Sequence, residues 1–168
     1  MRKPKHIAIV DEIRLLDLLT QKLIENNLHA ENTIVVTVST DYSGFVGQYL
    51  RHSLSHNREI CDGFGIDVPY PDESWNDGYA EDLKKVVKHH SKVFANKNIL
   101  LVEAAVIRGG NYMFVVDHFR KNYTNRLVTL AMYENIHSSY KSDFVGEYYN
   151  NDIDDITFWW ERDNKHWS

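Results

Sequence analysis

Apolar residues along the chain follow two alternating rhythms. In DEIRLLDLLTQKLIEN, residues 11–26, Ile13, Leu16, Leu19 and Leu23 recur at helical spacing, and Asp11 and Glu12 stand at the start, where a helix dipole favours negative charge. The spacing predicts an amphipathic helix. TIVVTVS at 33–39 is β-branched and nearly continuous, the pattern of a strand covered on both faces and hence of a parallel sheet. A polar turn, TDYSGFVG, and then a helix, QYLRHSLS, follow, and together they bury Val46, Leu50 and Leu54. Residues 57–78 are less regular: REICDGFGIDV reads as a strand interrupted by glycines and PYPDESWNDG as turn chemistry, so a mobile or protruding loop is expected there. Beyond it come a helix, YAEDLKKVVKHHSKVF, a strand, ILLVEAAV, a Gly-Gly turn and a helix, YMFVVDHFRKNY, whose Arg120 and Lys121 suit its C-terminal end. The strand RLVTLAMY follows at once. Two short extended pieces, DFVGEYY and ITFWWE, flank the acidic turn NNDIDD.

Strands alternating with helices through short loops predict an α/β fold, a central mostly parallel sheet flanked by helices. Ligands of such sheets bind at the carboxyl ends of the strands. The loops at 40–44 and 104–111 are therefore expected to be neighbours despite some sixty intervening residues. No internal repeat or domain linker interrupts the pattern, and the 168 residues read as one domain.

Composition narrows the function classes. A formal net charge of −5 gives no general attraction to nucleic acid, and no apolar run approaches the roughly 20 residues of a membrane helix. Neither nucleic acid nor membrane is an expected partner. With one cysteine, Cys61, no internal disulfide is possible, and MRKPKHIAIVDE lacks the apolar core of a signal peptide; a cytoplasmic location is expected.

The candidate chemistry centres on NILLVEAAVIRGGNY, residues 98–112. Glycines between a strand and a helix let backbone N–H groups close around an anion, because the helix N-terminus carries unpaired donors and a positive dipole end. Gly109 and Gly110 keep the turn permissive, Asn111 is placed to cap the helix, and Arg108 offers a charge-assisted bond to phosphate. The alternative is an ordinary tight turn with a solvated arginine. Elsewhere, His52 and His56 stand at i and i+4, a zinc-chelating spacing, but without a third placed ligand they read more simply as a solvated face. His89 and His90 belong to a basic helix end, and Cys61 reads as structural. Trp75 marks either a closing loop or a subunit contact.

This order of elements, together with its local sequence, resembles the type I phosphoribosyltransferases, closest to the short bacterial branch that salvages xanthine, guanine or hypoxanthine. The likeness spans roughly residues 10–162. The family signature is a strand ending V-D-D, three variable residues and T-G-x-T opening a helix, and it aligns with NILLVEAAVIRGGNY. The family's later PDY-type and F-P-W-E segments correspond to RLVTLAMYEN, SDFVGEYY and ITFWWE. The resemblance implies a small hood formed by the chain termini, phosphoribosyl pyrophosphate (PRPP) or a nucleotide as ligand, Mg²⁺ as cofactor and a homo-oligomer.

The resemblance also assigns positions, and several depart from the pattern. The paired acids fall on Glu103, the implied catalytic residue and metal ligand, and on Ala104. The acid midway through the loop falls on Ile107, and T-G-x-T becomes Arg108, Gly109, Gly110 and Asn111. The pyrophosphate loop, commonly Arg-Gly-Gly, falls on Thr40, Asp41, Tyr42, Ser43 and Gly44. The base-reading lysine falls near Asn135, and the stacking aromatic falls on Asp155. Trp159 and Trp160 lie close enough to supply a stacking surface, though a Trp pair in an extended segment also suits core or interface packing. Two functions follow: a purine-salvage phosphoribosyltransferase with an altered site, or a catalytically silent nucleotide or phosphosugar binder that regulates or sequesters.

Overall fold

A computed structural model describes residues 5–38, 42–55, 61–66, 96–123, 126–150 and 156–157, with positions 85, 88, 89 and 94. After a two-residue strand β1 (Lys5–His6) comes helix α1 (Ile9–Glu25) and strand β2 (Thr33–Val38). Helix α2 (Tyr42–Leu54), strand β3 (Asp62–Ile66) and strand β4 (Asn98–Val106) follow. Helix α3 (Gly110–Asn122), strands β5 (Leu127–Asn135) and β6 (Phe144–Tyr149), and a short β7 (Ile156–Thr157) complete the order.

The central sheet has the order β3-β2-β4-β5-β6, and every pairing is parallel. β1 and β7, far apart in sequence, form a separate parallel pair. The continuous apolar pattern of β2 has its expected cause: all six residues are buried. Ile34 and Val36 face a core with Ile99, Leu101 and, from α3, Val115, Val116 and Phe119. Val35 faces the opposite core with Leu100, Val102 and, from α1 and α2, Leu16, Leu19, Leu23, Val46, Leu50 and Leu54. The sheet is thus sandwiched between helices, and the strand edges that escape this cover are the ends.

Three local expectations are corrected. The polar turn after β2 is shorter than TDYSGFVG: α2 begins at Tyr42, so Ser43 and Gly44 are helical, and Ser43 is held inward by partners on β4. Within the expected loop 57–78, the reading of a glycine-interrupted strand holds for Asp62–Ile66, an edge strand paired with β2, and the loop reading does not. Its glycines suit the crowding, since a side chain at Gly63 would come within 2.6 Å of both the Val35 carbonyl and Arg51 Cδ. Residues 67–78, including Trp75, lie outside the described residues. Finally, α3 starts two residues earlier than expected, at Gly110, and its N-cap is Gly109, not Asn111. His52 and His89 are exposed as expected, whereas His56 and His90 lie outside the described residues.

Candidate phosphoribosyl site

The strand order itself defines a crevice. From β2 the chain moves through α2 to β3 on one side, whereas from β4 it moves through α3 to β5 on the other. The connections leaving the carboxyl ends of adjacent β2 and β4 therefore diverge, the switch point at which open parallel sheets take their ligands.

A contact fixes the two sides of this crevice together. The buried Ser43 hydroxyl, in the first turn of α2, donates to Glu103 Oε1 at 2.6 Å and accepts the Ala104 N–H at 3.0 Å. The same N–H lies 3.0 Å from Glu103 Oε1. The expected neighbourhood of the two loops is thus realised across sixty residues. Burial pushes the Glu103 carboxyl up to about 7, although the Ser43 hydroxyl and the Ala104 and Ala105 amides act to lower it. Near neutral pH this group is a carboxyl poised between its two forms.

Beyond Glu103 the strand ends at Val106, and Ile107, Arg108 and Gly109 turn into α3. Gly109 adopts φ +84°, a left-handed conformation that disfavours a β-carbon. Space forbids one too: it would lie 2.5 Å from Ser138 Oγ and 2.7 Å from the Tyr140 amide nitrogen. The turn 136–140 thus backs the Gly-Gly loop, and Ser139 adds two bonds to the Arg108 carbonyl, from its N–H at 3.0 Å and its hydroxyl at 2.7 Å.

With its carbonyls so engaged, the loop keeps its donors open. Gly109 contributes no side chain to the helix cap, and the first intrahelical bond is Met113 N–H to the Gly109 carbonyl. The N–H groups of Gly109, Gly110 and Asn111 have no hydrogen-bond partner among the described residues. Arg108 is exposed and makes no ion pair there. Tyr112 anchors the helix start: its hydroxyl lies 2.7 Å from the Leu101 carbonyl and 3.1 Å from that of Leu130, and accepts the Leu130 N–H at 3.2 Å. The result is a cup of unpartnered amides next in sequence to an exposed arginine, with the chemistry of an anion site.

Ala104 is buried and Ile107 partly buried, so neither offers a carboxylate to the cup. Gly44 is helical, with open space where a β-carbon would stand. Asn135 ends β5, and its side-chain oxygen accepts the His137 N–H at 2.8 Å, turned back into its own turn. Thr40, Asp41, Asp155 and Trp159 lie outside the described residues, as does the Tyr42 side chain. Sequence reasoning missed Lys141. Its ammonium returns to the end of β5, 3.2 Å from the Asn135 carbonyl, 2.9 Å from that of Ile136 and 3.5 Å from Glu134 Oε1. The only signal was one lysine in a serine-rich turn, SSYKSD. Ser138 and Ser139, which buttress the cup, were missed for the same reason.

Among the described residues Glu103 is the one carboxylate at this cup, and no cluster of three or more His, Cys, Asp or Glu side chains is placed to hold a metal. Mg²⁺ favours octahedral oxygen ligation through one or two carboxylates and substrate phosphates. Glu103 supplies one such carboxylate: the Ser43 hydroxyl and the Ala104 amide both bond its Oε1, so the cup offers one acid where the resemblance implies two.

The sheet order and its crevice are those of the type I phosphoribosyltransferase fold. No family model matches the sequence, and no curated protein matches it; the likeness is carried by solved structures. A purine phosphoribosyltransferase from Pyrococcus horikoshii Ot3 superposes with a TM-score of 0.69 at 15% identity, covering 95% of each chain. The Helicobacter pylori xanthine-guanine-hypoxanthine phosphoribosyltransferase gives 0.62 at 16% identity, over 96% of this chain and 95% of that one. A hypothetical protein from Neisseria gonorrhoeae with bound ppGpp gives 0.70 at 16% identity, over 99% and 95%. The chain therefore has the type I phosphoribosyltransferase fold over nearly its whole length.

Proposed function

We propose that the chain binds a ribose 5-phosphate compound, as PRPP or a purine nucleotide, with the phosphate on the amides of Gly109, Gly110 and Asn111 and the Arg108 guanidinium beside it. The observation that carries this reading is the open helix start at the carboxyl edge of β4, on a fold shared with purine phosphoribosyltransferases. Glu103 lies across from α2, in the position where a ribose hydroxyl would meet it. The activity that the fold serves in those relatives is transfer of a phosphoribosyl group to a purine base. In this reading Asn135 and Trp159 serve the base, Thr40 to Gly44 serve the pyrophosphate, and the protein assembles as a homo-oligomer.

A second reading is favoured by one specific feature. With Ala104 and Ile107 in place of acids, the cup lacks the carboxylates that would stabilise an anomeric carbon developing positive charge or assist the base nitrogen. A protein so built binds a nucleotide without turning it over, acting as a sensor or sequestering protein, and ppGpp in the Neisseria gonorrhoeae structure is a nucleotide held on this fold. Calorimetry with PRPP and a panel of purine nucleotides, run beside pyrophosphate release with guanine, xanthine and hypoxanthine, separates the two. Turnover supports the transferase, tight binding without turnover supports the silent binder, and neither result removes both.

A further inference from the structure

We infer that Lys141 is a positioning residue for the cup: none of its partners belongs to the cup, but it clamps the turn on which the cup rests. This rests on the reading above that residues 108–111 hold a phosphate. β5 and β6 are parallel, and Leu130 pairs with Phe144. The chain must therefore travel back from Asn135, at the end of β5, to the level of Leu130 through residues 136–143, with no helix along the way. Parallel strands ordinarily take a crossover of a dozen or more residues, usually a helix. A connection this short has to be held by its side chains.

Lys141 closes that connection on itself. Its ammonium donates to the Ile136 carbonyl at 2.9 Å and to the Asn135 carbonyl at 3.2 Å, and lies 3.5 Å from Oε1 of the fully buried Glu134. Glu134 Oε1 has no hydrogen-bond partner among the described residues, which leaves the lysine as its counter-charge. The other carboxylate oxygen accepts the Ser142 N–H at 2.8 Å, so both ends of the turn meet at one ion pair. The backbone between them faces the cup. Ser139 gives two bonds to the Arg108 carbonyl, and Ser138 and Tyr140 occupy the space that a β-carbon on Gly109 would need. Toward β6 the same segment is fastened independently, by Tyr140 and Asp143 to Thr129. The effect of the lysine therefore falls on the stretch beside the cup.

The test is calorimetric titration of the full chain with ribose 5-phosphate and with guanosine 5′-monophosphate, beside amide hydrogen exchange of the ligand-free protein. Lys141→Met should weaken both ligands about tenfold and by the same factor, and speed exchange of the Ser139 N–H by about tenfold or more. Lys141→Arg, which keeps a charge and donors, should recover part of the affinity. Should Lys141→Met fail to fold because Glu134 is left buried without its counter-charge, Lys141→Met combined with Glu134→Gln carries the same expectations. Ser139→Ala should also weaken binding, and joined to Lys141→Met it should lose less than the product of the two single factors, because both act on one support. A loss confined to the nucleotide would make Lys141 a contact of the base and overturn the inference, as would unchanged affinity for both ligands; either result leaves the phosphate reading intact. Absence of binding by the wild type overturns both.

Discussion

Replacing Glu103 with glutamine removes the one ionisable group of the cup that burial displaces strongly. The group's folded-state value is about 7 against an ordinary 4.5. At about 1.4 kcal/mol per pKa unit, the displacement is equivalent to about 3 kcal/mol. The sign follows from which state holds the proton. Between about pH 4.5 and about pH 7 the unfolded chain has released it and the folded chain keeps it, so the stability of the wild-type protein falls as pH rises through this window. Below the window both states are protonated and the cost disappears; above it the cost is fully present. Glu103→Gln retains a carbonyl oxygen to accept from Ser43 and Ala104 but has no proton to lose. Its stability relative to the wild type should therefore improve by about 3 kcal/mol between about pH 4 and about pH 8, or roughly 6–12 °C in Tm for a chain of this size. Urea denaturation of both proteins across that range, without ligand, isolates the effect, because every other titratable group is present in both. A difference that stays level with pH would refute the reasoning.

Three other perturbations bear on the same edge of the sheet. Ser43→Ala deprives Glu103 of a donor and the Ala104 N–H of an acceptor; it should cost about 1–2 kcal/mol in denaturant unfolding and move the Glu103 titration further upward, which carboxyl-detected NMR reads. Gly109→Ala forces a β-carbon into a left-handed residue against Ser138 and Tyr140, with an expected loss of about 2–4 kcal/mol in thermal or urea unfolding. A cost below about 0.5 kcal/mol would show that the turn behind the cup yields freely. Cys61 is buried and its thiol is pushed up to about 11, chiefly by desolvation, so a thiol reagent at neutral pH should label it only as fast as the protein opens, and urea should accelerate the labelling.

How far the sequence foretold this arrangement depends on the range of the interactions involved. The parallel core was legible because TIVVTV and NILLVEAAV are apolar without alternation, which only a sheet covered on both faces explains. The convergence of the 40–44 and 104–111 segments followed from topology alone, and the Ser43–Glu103 bond realises it. Features set by partners distant in the chain were not legible. Asn111 looks like a helix cap by residue type, yet the packing of Ser138 and Tyr140 against Gly109 moves the helix start back by two residues. DGFGI has weak strand character by composition; pairing with β2, and the space its glycine leaves for Arg51, make it an edge strand. Lys141 reaches the end of β5 through a turn whose path no local pattern encodes.

The peptide group joining Arg108 to Gly109 is a single conjugated unit, with its oxygen held by two donors from Ser139 and its N–H facing the cup. Drawing electron density toward that oxygen leaves the nitrogen's hydrogen more positive, so each contact made behind the loop strengthens the one offered in front. Polarisation of this kind runs in both directions: an anion resting on the amide makes the oxygen a better acceptor and tightens the serine turn at its back.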